Sequence, residues 1–317
     1  MGNFSRALIT GGCGFIGSNL IELLRKRENC EIRVLDNESA ASRRDIAGFD
    51  VDLIAGDITD EGVVAKAVAN VDLVVHLAAD TRVVDSIADP LRNFRTNVLG
   101  TFNLLCRMKA AGVTRIVNAS TGGAILGEVQ PPVHEEMAPA PLSPYGAGKL
   151  AAEGYCSAFA GSYGFRALSL RFSNVYGPRS YHKGSVIAQF FRRILAGEDL
   201  IVYGDGTQTR DYVFVEDLCE GILLAMKSEC TGVFQLGTGR ATSVNELIAQ
   251  MKDVVEDGER ITVRFEPFRP GELRHTWCDI SKARAAFNFN PTTLLRDGLI
   301  RTWTWFHEGA ARTKEAV

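Results

Sequence analysis

Ala7-Leu8-Ile9-Thr10-Gly11-Gly12-Cys13-Gly14-Phe15-Ile16-Gly17 is a short apolar run, a glycine turn and the opening of a helical pattern that continues through Leu20, Leu23 and Leu24. Strand, glycine turn, helix is the context in which three spaced glycines acquire meaning. Gly11 makes the tight turn, Gly14 lets backbone approach a pyrophosphate, and Gly17 lets helix and strand pack closely. Main-chain N–H groups at the helix start, around Phe15 and Ile16, then face the phosphates. The next strand, Ile32-Arg33-Val34-Leu35, ends at Asp36 with Asn37 beside it, 19 residues beyond Gly17. A carboxylate there can bind both hydroxyls of a ribose and repels a 2′-phosphate, which favours NAD.

The alternation then repeats. The apolar run from Val51 to Ala55 leads to Asp57-Ile58, and the stretch from Val71 to Ala79 reads as a buried strand. The end of that strand, Leu77-Ala78-Ala79, is expected beside the cofactor, while His76 within it reads as a packed residue. Residues 92–111 carry Phe94, Val98, Phe102 and Leu105 at helical spacing. Asn97 lies inside that face, open between a structural amide and a group at the site. Residues 115–120 are another strand, ending in Ser120-Thr121-Gly122-Gly123, and residues 167–172 a sixth. Such alternation requires a doubly wound parallel sheet with helices on both faces, binding ligands beyond the C-terminal strand ends. After residue 172 the alternation loosens into shorter elements. The expected α/β layout is a dinucleotide domain, mainly 1–172, and a smaller C-terminal substrate lobe, mainly 173–317, with some segments returning to the first.

Ser143-Pro144-Tyr145-Gly146-Ala147-Gly148-Lys149 reads as a helix start, with Ser143 as cap and Pro144 in the first turn. Tyr145 and Lys149 are four residues apart and share a helix face. A neighbouring ammonium favours the phenolate, which moves a phenol toward proton exchange near neutral pH. Standing alone, Tyr-x-x-x-Lys is a common accident of surface helices.

Gly11-x-x-Gly14-x-x-Gly17, Asp57-Ile58, His76-Leu77-Ala78-Ala79, Ser120-Thr121 and Tyr145-x-x-x-Lys149 together resemble the extended short-chain dehydrogenase/reductase family, and more narrowly its UDP-sugar 4-epimerases. The likeness continues through residues 171–179 and 202–212, Arg269-Pro270-Gly271-Glu272 and Asp279-Ile280-Ser281-Lys282, and spans roughly residues 6 to 306. It implies a Rossmann-type NAD domain, with Asp57 and Ile58 flanking the adenine. It also implies a homodimer through a helix bundle including the 92–111 and 145–163 helices. In the implied mechanism Tyr145 removes the proton of the sugar 4-hydroxyl, Lys149 keeps Tyr145 acidic and binds the nicotinamide ribose, and a hydroxyl steadies the oxyanion. Thr121 is the first candidate for that hydroxyl and Ser120 the second, since two ways of counting the motif disagree. On the substrate side the resemblance places Asn174 and the helix start at Val186 near the diphosphate, and Val202 and Tyr203 around the base. It sets Arg210 and Arg269 on the diphosphate and Glu272 on a ribose hydroxyl. Arg179 is expected to be structural.

Thr276, seven residues after Arg269, falls where this family borders the hexose 2-substituent. A small residue leaves room for an N-acetyl group, so the implied activity is 4-epimerisation of UDP-N-acetylhexosamines, alongside plain UDP-hexoses. The chain departs from the epimerase pattern at Leu126, where many have tyrosine, and at Gly148, where serine often precedes the lysine. Related 4,6-dehydratases resemble one another in a Thr-Asp-Glu triplet, for which this chain has Gly122-Gly123-Ala124. Uronate epimerisation and decarboxylation stay open, because nothing shows what occupies C6. A non-catalytic NAD sensor is the reading from another class, and intact Tyr145 and Lys149 argue against it.

Composition agrees. The 317 residues are 46% hydrophobic and 23% charged with a formal net charge of -3, which suits a globular enzyme and offers no basic footprint for nucleic acid or an anionic membrane. Seven cysteines without a C-x-x-C suggest neither a disulfide framework nor a zinc site. No apolar run reaches the about 18 to 20 residues of a membrane span. Arg6 leads straight into strand pattern, so no signal sequence is expected and a cytoplasmic setting fits.

Overall fold

The computed structural model describes residues 4–268 and 273–315, the last six of them as backbone alone. Its first six strands are β1 (Arg6–Thr10), β2 (Glu31–Asp36), β3 (Asp52–Ala55), β4 (Leu73–His76), β5 (Arg115–Thr121) and β6 (Arg166–Phe172). Shorter strands follow: β7 (Asn174–Tyr176), β8 (Leu200–Tyr203), β9 (Thr209–Arg210), β10 (Tyr212–Phe214), β11 (Gly232–Leu236), β12 (Thr242–Ser243) and β13 (Val263–Glu266). Seven strands form one parallel sheet in the order β11-β6-β5-β4-β1-β2-β3. The order reverses between β1 and β4, and the crevice outside that point is where such sheets bind ligands. Because both faces are covered, the inner strands are mostly apolar, and all four residues of β4 are buried.

The helices explain the cover. One face carries α1 (Phe15–Arg27); α2 (Glu61–Val68) lies on the other. Next come α3 (Val83–Ala88), α4 (Pro90–Phe94), α5 (Gly100–Ala111), the short α6 (Gly123–Leu126) and the 20-residue α7 (Pro144–Tyr163). Asp60 caps α2, Asp89 caps α4 and Ser143 caps α7, each accepting from a first-turn N–H. The remaining helices are α8 (Val186–Ala196), α9 (Val215–Lys227), α10 (Val244–Val254), α11 (Ser281–Phe287) and α12 (Leu295–Glu315). Leu20 and Leu24 of α1 pack with Leu218 and Ile222 of α9, while Val64, Leu105, Met108 and Phe159 fill the opposite layer. A third core, with Phe191, Leu200, Phe214, Leu247 and Phe306, belongs to the smaller lobe. Residues beyond 172 also build the central sheet, since β11 pairs with β6 in parallel.

One expectation is corrected. The strand foreseen over 71–79 is limited to β4, and Leu77–Ala79 leave it as a loop that enters the cleft. There the Leu77 and Ala78 N–H groups donate to the Thr10 carbonyl (3.1 Å) and hydroxyl (3.2 Å). The helix expected over 92–111 runs unbroken from Pro90 to Ala111, with a π-type turn at Arg95–Leu99 between α4 and α5. That turn coincides with Asn97, whose side chain is drawn onto the backbone of Asp80. The closing helix α12 runs through Glu315.

Candidate functional site

A cleft of about 1760 Å³ runs between the C-terminal edge of the sheet and the smaller lobe. That exceeds the several hundred cubic ångströms of a single-ligand pocket, and has room for a dinucleotide and a nucleotide sugar side by side.

Its floor is the glycine turn. Gly11 has φ +70, and a Cβ there would stand 2.7 Å from the Ala78 amide nitrogen. A Cβ on Gly17 would meet the Gly11 carbonyl at 2.5 Å. Both positions therefore need glycine for β1 and α1 to approach this closely. Gly14 is the N-cap of α1 and no side chain caps it, so the N–H groups of Phe15, Ile16 and Gly17 face the cleft. Asp36, at the end of β2, accepts from the N–H groups of Cys13 (3.0 Å) and Glu38 (2.8 Å), and burial moves its carboxyl above the usual range. Asn37 donates to Asp57 at 2.7 Å, and Ile58 lines the cleft beside them. Leu77, Ala78 and Ala79 form the adjacent wall. An uncapped helix start, a glycine floor and a strand-end carboxylate fit NAD: the start of α1 would take the pyrophosphate and Asp36 the ribose hydroxyls.

Asn97 is brought near the site without entering the cleft. Its amide accepts from Asp80 N–H and donates to Asp80 C=O, both at 2.8 Å, and it is buried. Its two polar ends are thus occupied by backbone. His76 belongs to the same network. Thr101 gives its hydroxyl proton to the Asn97 carbonyl (2.7 Å), so it accepts from His76 Nε2 at 3.0 Å. Nδ1 then accepts from Thr10 at 2.7 Å, and the ring is neutral, held down to about 3 by burial.

Tyr145 and Lys149 lie at the start of α7, with Ser143 accepting from Gly146 N–H at 3.2 Å as its cap. Burial dominates at the Tyr145 phenol and pushes it up to about 12, with Thr121 drawing it the other way. Burial thus opposes the shift toward neutrality expected of this phenol. In this structure Lys149 donates to the Ala119 carbonyl at 2.9 Å, and burial lowers its ammonium to about 8. Ser120 and Thr121 part company. Ser120 donates to Glu153 at 2.6 Å in the buried layer beneath the cleft, so its one proton is committed away from Tyr145. Glu153 also holds Arg171 through two bonds of 2.9 and 2.8 Å, and both side chains are about 95% buried (4% and 5% exposed). The sequence reading missed this pair, although Glu153 follows Lys149 by four residues on one helix face.

On the opposite wall α8 begins at Val186 with Ser185 as an N-cap whose hydroxyl makes no capping bond. Its first turn opens into the cleft, as do Asn174, Tyr203 and Arg210. Arg210 donates to the carbonyls of Thr209 (2.8 Å) and Arg274 (3.1 Å). Val202 is buried in the lobe's core at the cleft wall. Thr276 faces the end of β5: a Cβ on Gly123 would lie 3.3 Å from its hydroxyl. Arg179 pairs with Glu22 of α1 at 2.6 Å. Arg269 and Glu272 lie outside the described residues.

Residues 7–237 match the model of the NAD dependent epimerase/dehydratase family. The UDP-glucose 4-epimerase of Mycolicibacterium smegmatis is 34% identical over 313 residues, covering 95% of this chain and 98% of that one. Among solved structures, the UDP-glucose 4-epimerase of Thermus thermophilus in complex with NAD superposes with a TM-score of 0.88 at 36% identity, covering 95% of this chain and 99% of that one. The UDP-N-acetylglucosamine 4-epimerase of Methanobrevibacter ruminantium, in complex with UDP-N-acetylmuramic acid, gives 0.90 at 30% identity, covering 98% of this chain and 100% of that one. With its glycine floor, its tyrosine–lysine pair and these likenesses along nearly its whole length, the chain belongs to the NAD-dependent epimerase/dehydratase family of extended short-chain dehydrogenases/reductases.

Proposed function

We propose that this chain is a UDP-hexose 4-epimerase that accepts the N-acetylated substrates UDP-N-acetylglucosamine and UDP-N-acetylgalactosamine as well as the plain hexoses. The observation that carries the substrate reading is the sugar wall. Gly122, Gly123, Ala124 and Thr276 line it, and none is large enough to fill the space beside a hexose C2. The same positions carry no carboxylate with which to remove a C5 proton and expel a C6 hydroxyl, which disfavours the dehydratase reading.

Tyr145, as the phenolate that the neighbouring Lys149 ammonium favours, removes the proton of the 4-hydroxyl as C4 is oxidised, and returns it when the 4-keto sugar is reduced on its other face. NAD, when bound, supplies the acceptor for the hydride from C4 and gives it back. The Thr121 hydroxyl, in the same cleft wall as Tyr145, steadies the oxygen on which charge develops. Lys149 brings a positive charge beneath the pair. Arg210 and the open start of α8 hold the diphosphate, so the sugar can turn while the nucleotide stays fixed.

A second copy of the chain is the proposed partner. Val84, Ile87, Leu91, Phe94 and Phe102 are exposed along α3 to α5 beside α7, an apolar face that a helix bundle between two copies would cover. Seven free thiols suit a reducing cytoplasm.

The substrate reading is tested by Thr276→Tyr. Filling the C2 side is expected to lower kcat/KM for UDP-N-acetylglucosamine by about tenfold or more, with UDP-glucose changed by less than about threefold. Equal losses on both sugars would show that Thr276 does not border the 2-substituent.

A further inference from the structure

The segment from Gly177 to Gly184, between β7 and α8, crosses the N-terminal half of α1. It is pinned there. Asn19 of α1 donates to the Pro178 carbonyl at 3.1 Å, and Arg179 reaches Glu22 at 2.6 Å and the Ser18 carbonyl at 3.4 Å. Within the segment Ser180 donates to the Gly177 carbonyl at 2.6 Å and Lys183 N–H to the Ser180 carbonyl at 2.9 Å. From the other side Arg192 of α8 donates to the carbonyls of Tyr181 and Lys183, the latter at 3.0 Å. The strap is thus fixed to the dinucleotide domain at one edge and to the substrate lobe at the other.

This double anchoring sets the Lys183 ammonium 5.0 Å from the ring centroid of Phe15, the first residue of α1. One of its three protons goes to the Val175 carbonyl at 2.6 Å. No carboxylate among the described residues is in ion-pair contact with it, and burial alone lowers it to about 8. A desolvated ammonium without a counter-ion is costly, and an anion that enters the cleft beside it removes the cost. Lys183, Gly14, Phe15 and Ile16 all line that cleft. The uncapped start of α1 offers N–H groups to the cleft, and the Lys183 ammonium lies over Phe15, the first residue of that helix.

We propose that Lys183 binds the pyrophosphate of the dinucleotide from above, so that the strap holds NAD in place through repeated turnovers. The position favours the cofactor's phosphates over the substrate's, because Lys183 lies over Phe15 while the start of α8 and Arg210 face the diphosphate of the sugar nucleotide. The inference rests on the NAD site and not on which sugar is turned over.

The test uses holoenzyme. Wild type, Lys183→Met and Lys183→Arg are passed through extended gel filtration and the retained NAD is quantified after denaturation, with UDP affinity measured by calorimetry on the same samples. Lys183→Met keeps the stem against Phe15 and removes the charge, and is expected to lose NAD about tenfold more completely, with UDP affinity within about twofold. Lys183→Arg is expected to retain most of its NAD. Unchanged retention in Lys183→Met would overturn the proposal. So would a loss confined to UDP, which would assign the ammonium to the substrate diphosphate. An equal loss in Lys183→Arg would assign the effect to packing. Failure of the sugar assignment would leave all three NAD measurements standing.

Discussion

Two adjacent hydroxyls at the end of β5 are given different work by strand geometry. Both line the cleft, but successive side chains alternate in direction, so Ser120 follows Asn118 and gives its proton to buried Glu153 while Thr121 does not. The same layer logic makes His76 a neutral structural residue. Its folded value, about 3, lies below the ordinary 6.5, so between those limits the unfolded chain binds the extra proton. The stability it contributes is whole above pH ~6.5 and falls as pH drops toward 3, by at most about 1.4 kcal/mol per pH unit. Chemical unfolding from pH 6.5 down to 4.5 should show a shallower decline for His76→Gln than for wild type; parallel curves would mean that His76 is not the buried titrating group. Residue types carried much of this site in the sequence: Tyr145, Lys149, the glycines and Asp36 stand where their motifs put them. What could not be read was direction. Nothing in a linear pattern says that Asn97 spends both ends of its amide on Asp80, or that burial would outweigh Lys149 at the Tyr145 phenol.

At the scale of one element, α7 shows how the proposed catalytic pair is supported. Tyr145, Lys149 and Glu153 recur every four residues along one face, and the last anchors Arg171 of β6 and Ser120 of β5. The Glu153–Arg171 pair thereby ties the helix to two strands directly below the cleft. Breaking one side leaves a buried guanidinium uncompensated, so Glu153→Gln should lower unfolding free energy by about 3 kcal/mol. Replacing both residues with methionine should recover much of that loss, because it removes the unpaired charge as well as the pair. A Glu153→Gln protein as stable as wild type in urea would contradict this. The start of α7 was legible, since Ser143 and Pro144 are local signals that act locally. The ion pair was not, because it joins residues 18 apart in sequence through packing.

For the whole molecule, strand alternation gave the parallel sheet and the crevice beyond it, because βαβ chirality leaves few other ways to bury these strands. The π-type turn in the 92–111 stretch and the strap over α1 were invisible, as both depend on contacts between lobes or on side-chain bonds to distant backbone. The exposed apolar face on α3 to α5 calls for a partner, and a second copy predicts light-scattering mass at twice the 34.5 kDa of the chain. Phe102→Glu should shift the protein toward 34.5 kDa; a wild-type monomer at working concentration would refute the dimer. The central claim is the reaction itself. Proton NMR of purified protein with UDP-N-acetylglucosamine, with no NAD added, follows the anomeric and H4 signals directly. The account predicts equilibration with the galacto epimer by retained cofactor, and silence from Tyr145→Phe. No change in the wild-type sample, even after NAD is supplied, or the appearance of a 6-methyl signal, would contradict it.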